Sequence, residues 1–249
     1  MRLEPAPLRE LPPVTRWLVA LNFCGWLAAQ LSGARVNVSL GLVPYLFSGE
    51  FWLWQGFTYI FIHATFWHFL FNAFMLWMFG RLLEPAMGGR KFLLYFLGCG
   101  FAAAVFTAAW NHASLTPVVG ASGAVFGLLG AFAFLYPDVT VNLYFLFPMS
   151  ARTMVLLLGA VEFAFTLGRP GSGISNITHL GGLAAGLLWL WAERRWRERP
   201  RPEGPDPAAL EKAEVDRLLE KISSRGQGAL SRAELARLDA YARRRGGKA

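Results

Sequence analysis

The chain has 249 residues, of which 55% are hydrophobic and only 16% charged, and a formal net charge of +8. Soluble domains carry about 25% charged residues, so this composition excludes an ordinary soluble globule and points to a membrane. From Glu193 onward lie 15 of the 24 Lys/Arg and 10 of the 16 Asp/Glu, so the basic excess indicates membrane topology and a tail, not nucleic acid. Two cysteines in apolar runs, Cys24 and Cys99, exclude a disulfide framework and a cysteine-based metal site.

Residues 1–13 are polar and proline-rich, a predicted cytoplasmic segment. Val14–Ser32 is the first apolar run, long enough as a helix to cross about 30 Å of hydrocarbon. Ser32-Gly33-Ala34 resembles a cleavage site, but Glu4 and Glu10 ahead of the run favour a retained helix over a signal peptide. Arg35–His63 is rich in aromatic residues and poor in charge, as in an amphipathic structure at headgroup level. Phe66–Leu83 forms the second predicted span, closed by Arg81 and Glu84. Phe92–Trp110 forms the third, preceded by Arg90 and Lys91, and Val118–Tyr136 the fourth, stopped by Pro137-Asp138. Val139–Ser150 is apolar but interrupted by Pro148, which predicts an interfacial segment. The fifth span runs from Arg152 to Leu167, a turn-forming loop covers Gly168–Gly173, and Ile177–Ala192 is the sixth.

Lys and Arg concentrate in the N-terminal segment, in 84–91, in 137–152 and in the tail, whereas the opposite loops hold Arg35 and Arg169. Positive-inside orientation then places both termini in the cytoplasm, as six spans require. The expected organisation is a membrane domain over 14–195, a basic and proline-rich linker over 196–207, and a helical tail over 208–249. In the tail, Val215, Leu218, Leu219 and Ile222 share a helix face. Ser231 and Glu234 form a capping box for a second helix. The pair reads as an interaction or packing module, with no partner assigned.

The second, fourth and sixth spans all enter from the non-cytoplasmic side, and His68, Ser122 and His179 lie within about two turns of their starts. They therefore share one membrane depth. Ser122 sits between Gly120 and Gly123 at a helix start, where unpaired backbone N–H groups and the helix dipole favour an oxyanion. An ionisable side chain within a membrane is costly and marks a functional site by default. Gly182 and Gly186 fall on the His179 face, and Gly123, Gly127 and Gly130 on a face of the serine helix. Contact of these faces would bring Ser122 to His179, as a nucleophile and general base require. His68 and Asn72, four apart, share a face. Glu162, the one acid well inside a span, reads as a polar contact of the bundle in preference to a third catalytic group.

These motifs resemble the rhomboid intramembrane serine proteases over about residues 14–195. Gly120-Ala121-Ser122-Gly123 matches the family's nucleophile motif, His179 with Gly182 and Gly186 its base helix, and His63, His68 and Asn72 its H-x-x-x-x-H-x-x-x-N signature. The resemblance implies Ser122 as nucleophile, His179 as general base, His68 and Asn72 as oxyanion donors, and a structural role for His63. Two positions depart from the pattern. Trp54-Gln55 stands where Trp-Arg is common, and Phe126 replaces a tyrosine that stacks on the base histidine.

The expected protein is thus an all-α, six-span membrane bundle acting as a serine endopeptidase on membrane-protein segments. Its expected partners are transmembrane substrates and the lipid bilayer, its location a cell membrane, with no cofactor, metal or nucleic acid. The rival is a non-catalytic relative that binds membrane clients. Such relatives typically lose the serine or histidine; this chain keeps both.

Overall fold

Among the described residues, most apolar runs bounded by proline, glycine or charge form helices. The computed structural model describes residues 11–143, 147–168, 174–198 and 207–246. The N-terminal segment up to residue 10, the loop at 169–173 and the linker at 199–206 lie outside the described residues. The chain divides into two compact units, Met1–Arg197 and Glu198–Ala249.

In the first unit, α1 spans Pro13–Ser32, with proline at its first position, where the missing N–H costs nothing. The buried Glu84 carboxylate caps this helix from a distance. It accepts the Val14 N–H at 3.0 Å, and the Thr15 N–H and hydroxyl each at 2.7 Å. Three short helices follow, α2 (Ala34–Leu40), α3 (Pro44–Gly49) and α4 (Gln55–Thr58), and α4 continues into a single 3-10 turn at Tyr59–Phe61. The segment Gln55–Phe61 meets the next long helix, α5 (Phe66–Met87), at 98°. The Thr65 hydroxyl starts α5 by accepting the His68 N–H at 3.1 Å. Then come α6 (Gly89–Trp110), α7 (Ser122–Leu135), α8 (Ala151–Gly168) and α9 (Ile174–Glu198).

Apolar burial alone cannot drive helices together in lipid, so close packing and buried hydrogen bonds matter more. Tyr95 donates its hydroxyl to the Gly127 carbonyl at 2.8 Å, which ties α6 to α7. The Thr107 and Thr178 hydroxyls meet at 2.7 Å between α6 and α9. Lys91 and Glu193 pair where α6 begins and α9 nears its end, 2.5 Å apart.

Two stretches differ from the sequence reading. Val139–Ser150 is not simply an interfacial apolar segment. It holds an antiparallel strand pair, β1 (Thr140–Leu143) and β2 (Phe147–Ser150), in the register Thr140↔Ser150 to Leu143↔Phe147. Pro148 is accommodated because a two-stranded pair has only edges, where a missing N–H is tolerated. Among the described residues the fold is therefore helical with one small strand pair. Val118–Ala121 also stays outside α7. Val118 exchanges two backbone hydrogen bonds of 2.8 Å with Leu42, and this pairing holds the chain extended before the helix starts.

Among the described residues, Gly89–Trp110 is by itself long and apolar enough to cross a membrane, with mean hydropathy 2.0. The bent segment Gln55–Met87 qualifies only as a pair, and α7 is apolar but short, at 14 residues. The second unit holds α10 (Pro207–Arg225) and α11 (Arg232–Gly246). The Ser231 N–H donates to Glu234 Oε2 at 2.8 Å and the Glu234 N–H to Ser231 Oγ at 3.3 Å, a reciprocal capping box. Lys221–Glu234, Arg237–Glu214 and Arg244–Glu211 tie the two helices together.

Candidate active site

Ser122 is the first residue of α7, reached through a backbone turn at Gly120. Gly120 has φ +119°, and a Cβ there would lie 2.6 Å from His68 Nε2. Only glycine combines that backbone with the ring beside it. The loop is fastened from two further sides. The Gly120 N–H donates to the Tyr59 carbonyl at 2.9 Å, and the Ala121 N–H approaches His63 Nε2 at 3.4 Å. His63 is fully buried, and its Nδ1 lies 3.2 Å from the Phe61 carbonyl. These contacts fit an Nδ1–H tautomer that donates to Phe61 and accepts from Ala121. His63 thus supports the loop that presents Ser122.

His179 arrives from α9. Its Nε2 lies 2.8 Å from Ser122 Oγ. The Phe126 ring, one turn further along α7, stacks on the imidazole with centroids 4.4 Å apart and planes 4° from parallel. A phenyl ring at this position therefore keeps the stack, and only a hydroxyl is missing relative to tyrosine.

Glycines allow this approach of α7 and α9. A Cβ at Gly182 would overlap the Gly123 carbonyl, and one at Gly186 would stand 3.0 Å from Gly127 Cα. Each helix fits against the other's backbone. Gly130 instead faces the Leu183 side chain.

His68 and Asn72, on α5, line the same pocket as Ser122 and His179. The pocket has a volume of about 210 Å³ and is also bounded by Tyr59, Val118, Val119, Gly120 and Thr178. Asn72 donates one amide N–H to the His68 carbonyl at 2.8 Å, which fixes its side chain and leaves a second N–H available. The His63 and His68 rings meet edge to face at 5.1 Å. Among the described residues, no group of three His, Cys, Asp or Glu side chains could hold a metal ion.

Two residues have partners that the sequence reading did not assign. Glu162, read as a generic bundle contact, places Oε1 3.0 Å from His179 Nδ1. The only sequence signal for this was an acid inside an apolar run, since its partner depends on how α8 is rotated. Gln55, which stands where arginine is common, is fully buried. It accepts the Val43 N–H at 3.0 Å and donates to the Val38 carbonyl at 2.7 Å. The loop between α1 and α5 is thus cross-linked without an arginine.

The family model of the Rhomboid domain matches residues 50–196, more than half of the chain and all of the site described above. The chain belongs to the rhomboid family. It is 33% identical over 147 residues to Rhomboid protein 1, mitochondrial, of Saccharomyces cerevisiae, covering 57% of this chain and 42% of that protein. It is 29% identical over 181 residues to Rhomboid protease GluP of Bacillus subtilis, covering 71% and 34%. With Rhomboid protease GlpG of Haemophilus influenzae it shares 25% identity over 191 residues, covering 77% and 96%. The chain therefore spans less than half of the first two relatives and nearly all of the third. Residues 208–244 match a separate family of unknown function, DUF6576.

Proposed function

We propose that this rhomboid is an intramembrane serine endopeptidase that cleaves transmembrane or juxtamembrane segments of other membrane proteins. The observation that carries the reading is the 2.8 Å approach of His179 Nε2 to Ser122 Oγ, at a helix start and beside a pocket that His68 and Asn72 also line. Relatives of similar sequence bear the name rhomboid protease. The domain comprises six spans, α1, α5, α6, α7, α8 and α9, in a cell membrane, with both termini in the cytoplasm. The aromatic loop holding α2 and α3 lies at the opposite face.

Ser122 Oγ attacks the scissile carbonyl carbon, forming a C–O bond, while His179 Nε2 takes the hydroxyl proton. Negative charge then develops on the former carbonyl oxygen. The Ser122 N–H at the helix start, Asn72 and His68 provide donors for it. Collapse of this intermediate breaks the C–N bond, and the imidazolium returns its proton to the leaving amine. Water then attacks the acyl-enzyme with His179 again as base, which releases the carboxylate product and restores Ser122. Peptide bonds in a stable membrane helix are internally hydrogen-bonded and shielded, so substrates are segments whose helix opens locally.

A serine-reactive fluorophosphonate provides the test. Wild-type protein in detergent or vesicles should label and should cleave a reporter membrane segment, whereas Ser122→Ala and His179→Ala should do neither while remaining folded. Robust reporter cleavage by Ser122→Ala would refute the reading. Client binding without labelling in the wild type would favour the non-catalytic alternative.

A further inference from the structure

His179 has two ring nitrogens, and the reaction above uses one. Its Nδ1 is buried, and among the described residues the acceptor beside it is Glu162 Oε1, 3.0 Å away. The contact is at ion-pair distance with imperfect hydrogen-bond alignment. No better-aligned partner of Nδ1 is present among the described residues. Both side chains are largely buried, at 18% and 17% exposure. Glu162 is itself held. Asn176, three residues before His179 on α9, donates its amide to Glu162 Oε2 at 2.5 Å. Thr166 donates its hydroxyl to the Glu162 carbonyl at 2.9 Å, one turn further along α8.

A neutral imidazole carries one proton, on either nitrogen. Only the Nδ1–H tautomer leaves the Nε2 lone pair free to take the Ser122 proton. A carboxylate beside Nδ1 favours that tautomer, fixes the ring plane and stabilises the imidazolium that forms when the proton moves. Phe126 stacks on the ring face and cannot select between tautomers, because stacking does not distinguish the two nitrogens.

We propose that Glu162 is a positioning residue for His179, held by Asn176, so that the reacting unit is Ser122–His179–Glu162. The proposal rests on the protease reading of the same site. No additional bond is made or broken: the proton shuttles between Ser122 Oγ, His179 Nε2 and the leaving amine, and Glu162 stays ionised throughout. The competing explanation is a purely structural pair that ties α8 to α9.

The test uses the full chain in detergent, with Glu162→Gln, Glu162→Ala and Glu162→Asp beside Ser122→Ala. Reporter kcat and KM, fluorophosphonate labelling rate and thermal unfolding are measured on each. Glu162→Gln should keep its unfolding temperature and its KM, with kcat and labelling lowered about 10- to 100-fold, less than the roughly 10²–10⁴-fold that a general base itself contributes. Glu162→Asp should recover part of that loss. Added formate should accelerate Glu162→Ala while leaving wild type and Ser122→Ala unchanged, a response that a structural tie would not produce. Wild-type kcat in Glu162→Gln would overturn the positioning role and leave the protease reading intact. Loss of activity only in proportion to lost folding, with no formate response, would equally overturn it. Cleavage by Ser122→Ala would instead refute the protease reading beneath it.

Discussion

Gly182 on α9 rests directly on the carbonyl of Gly123 on α7, with no room for a single carbon between them. This contact sets the separation of the two helices that carry Ser122 and His179. At a well-packed contact, one added methyl forces a backbone shift.

Gly182→Ala should therefore lower stability by about 1–3 kcal/mol and suppress fluorophosphonate labelling together. Gly159→Ala on α8 is the control, because a Cβ there meets Leu183 at an ordinary 3.4 Å. Thermal unfolding in detergent should separate the two variants clearly. A fully active, stable Gly182→Ala would mean the glycine faces can part without consequence.

Asn72→Ala and His68→Ala test the oxyanion assignment. Removing one donor of several typically costs about 10²–10³ in rate, so labelling should be slowed but measurable in both. If these residues only hold α5 in place, each variant should lose unfolding temperature in step with activity. A stable variant with unchanged turnover would remove that residue from the site.

Ser122→Ala combined with His179→Ala should be no worse than either single variant, because residues acting as one unit lose activity non-additively. Reporter turnover measured over long incubation checks this. A further fall in the double variant would assign the two residues independent roles.

Glu84→Ala should leave chemistry alone and weaken the fold. The buried carboxylate satisfies three donors at the start of α1, and leaving them unpaired costs about 2–4 kcal/mol. Glu84 lies 16 positions after His68 on the same helix, or about 24 Å along its axis. Labelling per folded molecule should thus stay at the wild-type rate while unfolding shifts to lower temperature.

The tail offers a pH prediction. Lys221, with the Ser231 N–H and hydroxyl, holds the Glu234 carboxyl down at about 2 against an ordinary 4.5. A depressed carboxylate contributes stability that is present above its unfolded value and lost as pH falls towards the folded one. The α10–α11 hairpin should loosen between about pH 4.5 and pH 2 and be insensitive above that window. Side-chain carbon NMR of Glu234 reads this directly; titration near its ordinary value would contradict the capping geometry.

The long helices of the first unit were readable from the chain, whereas the short helices α2, α3 and α4 were not. Apolar runs bounded by Pro13, Arg90 and Lys91, Pro137 and the arginines after Trp191 leave few other conformations for the backbone in lipid. The capping box at Ser231 and Glu234 is local, three residues apart, and needed no tertiary information. The glycine faces of α7 and α9 were readable for a related reason: small residues at helical spacing can serve close approach whatever else surrounds them.

Contacts set by helix rotation and by long-range pairing were decided only in three dimensions. Val118 leaves the helical run because Leu42, 76 positions earlier, offers it two backbone hydrogen bonds. Gln55 cross-links its loop because the Val38 carbonyl and the Val43 N–H both come within its reach. Glu162 meets His179 because α8 turns that one face towards α9, and a helix of apolar residues carries no periodic mark of which face that is. Sequence patterns report what a residue can do along its own helix. Which partner it meets depends on the rotation and offset of whole helices, set by the sum of their packing contacts.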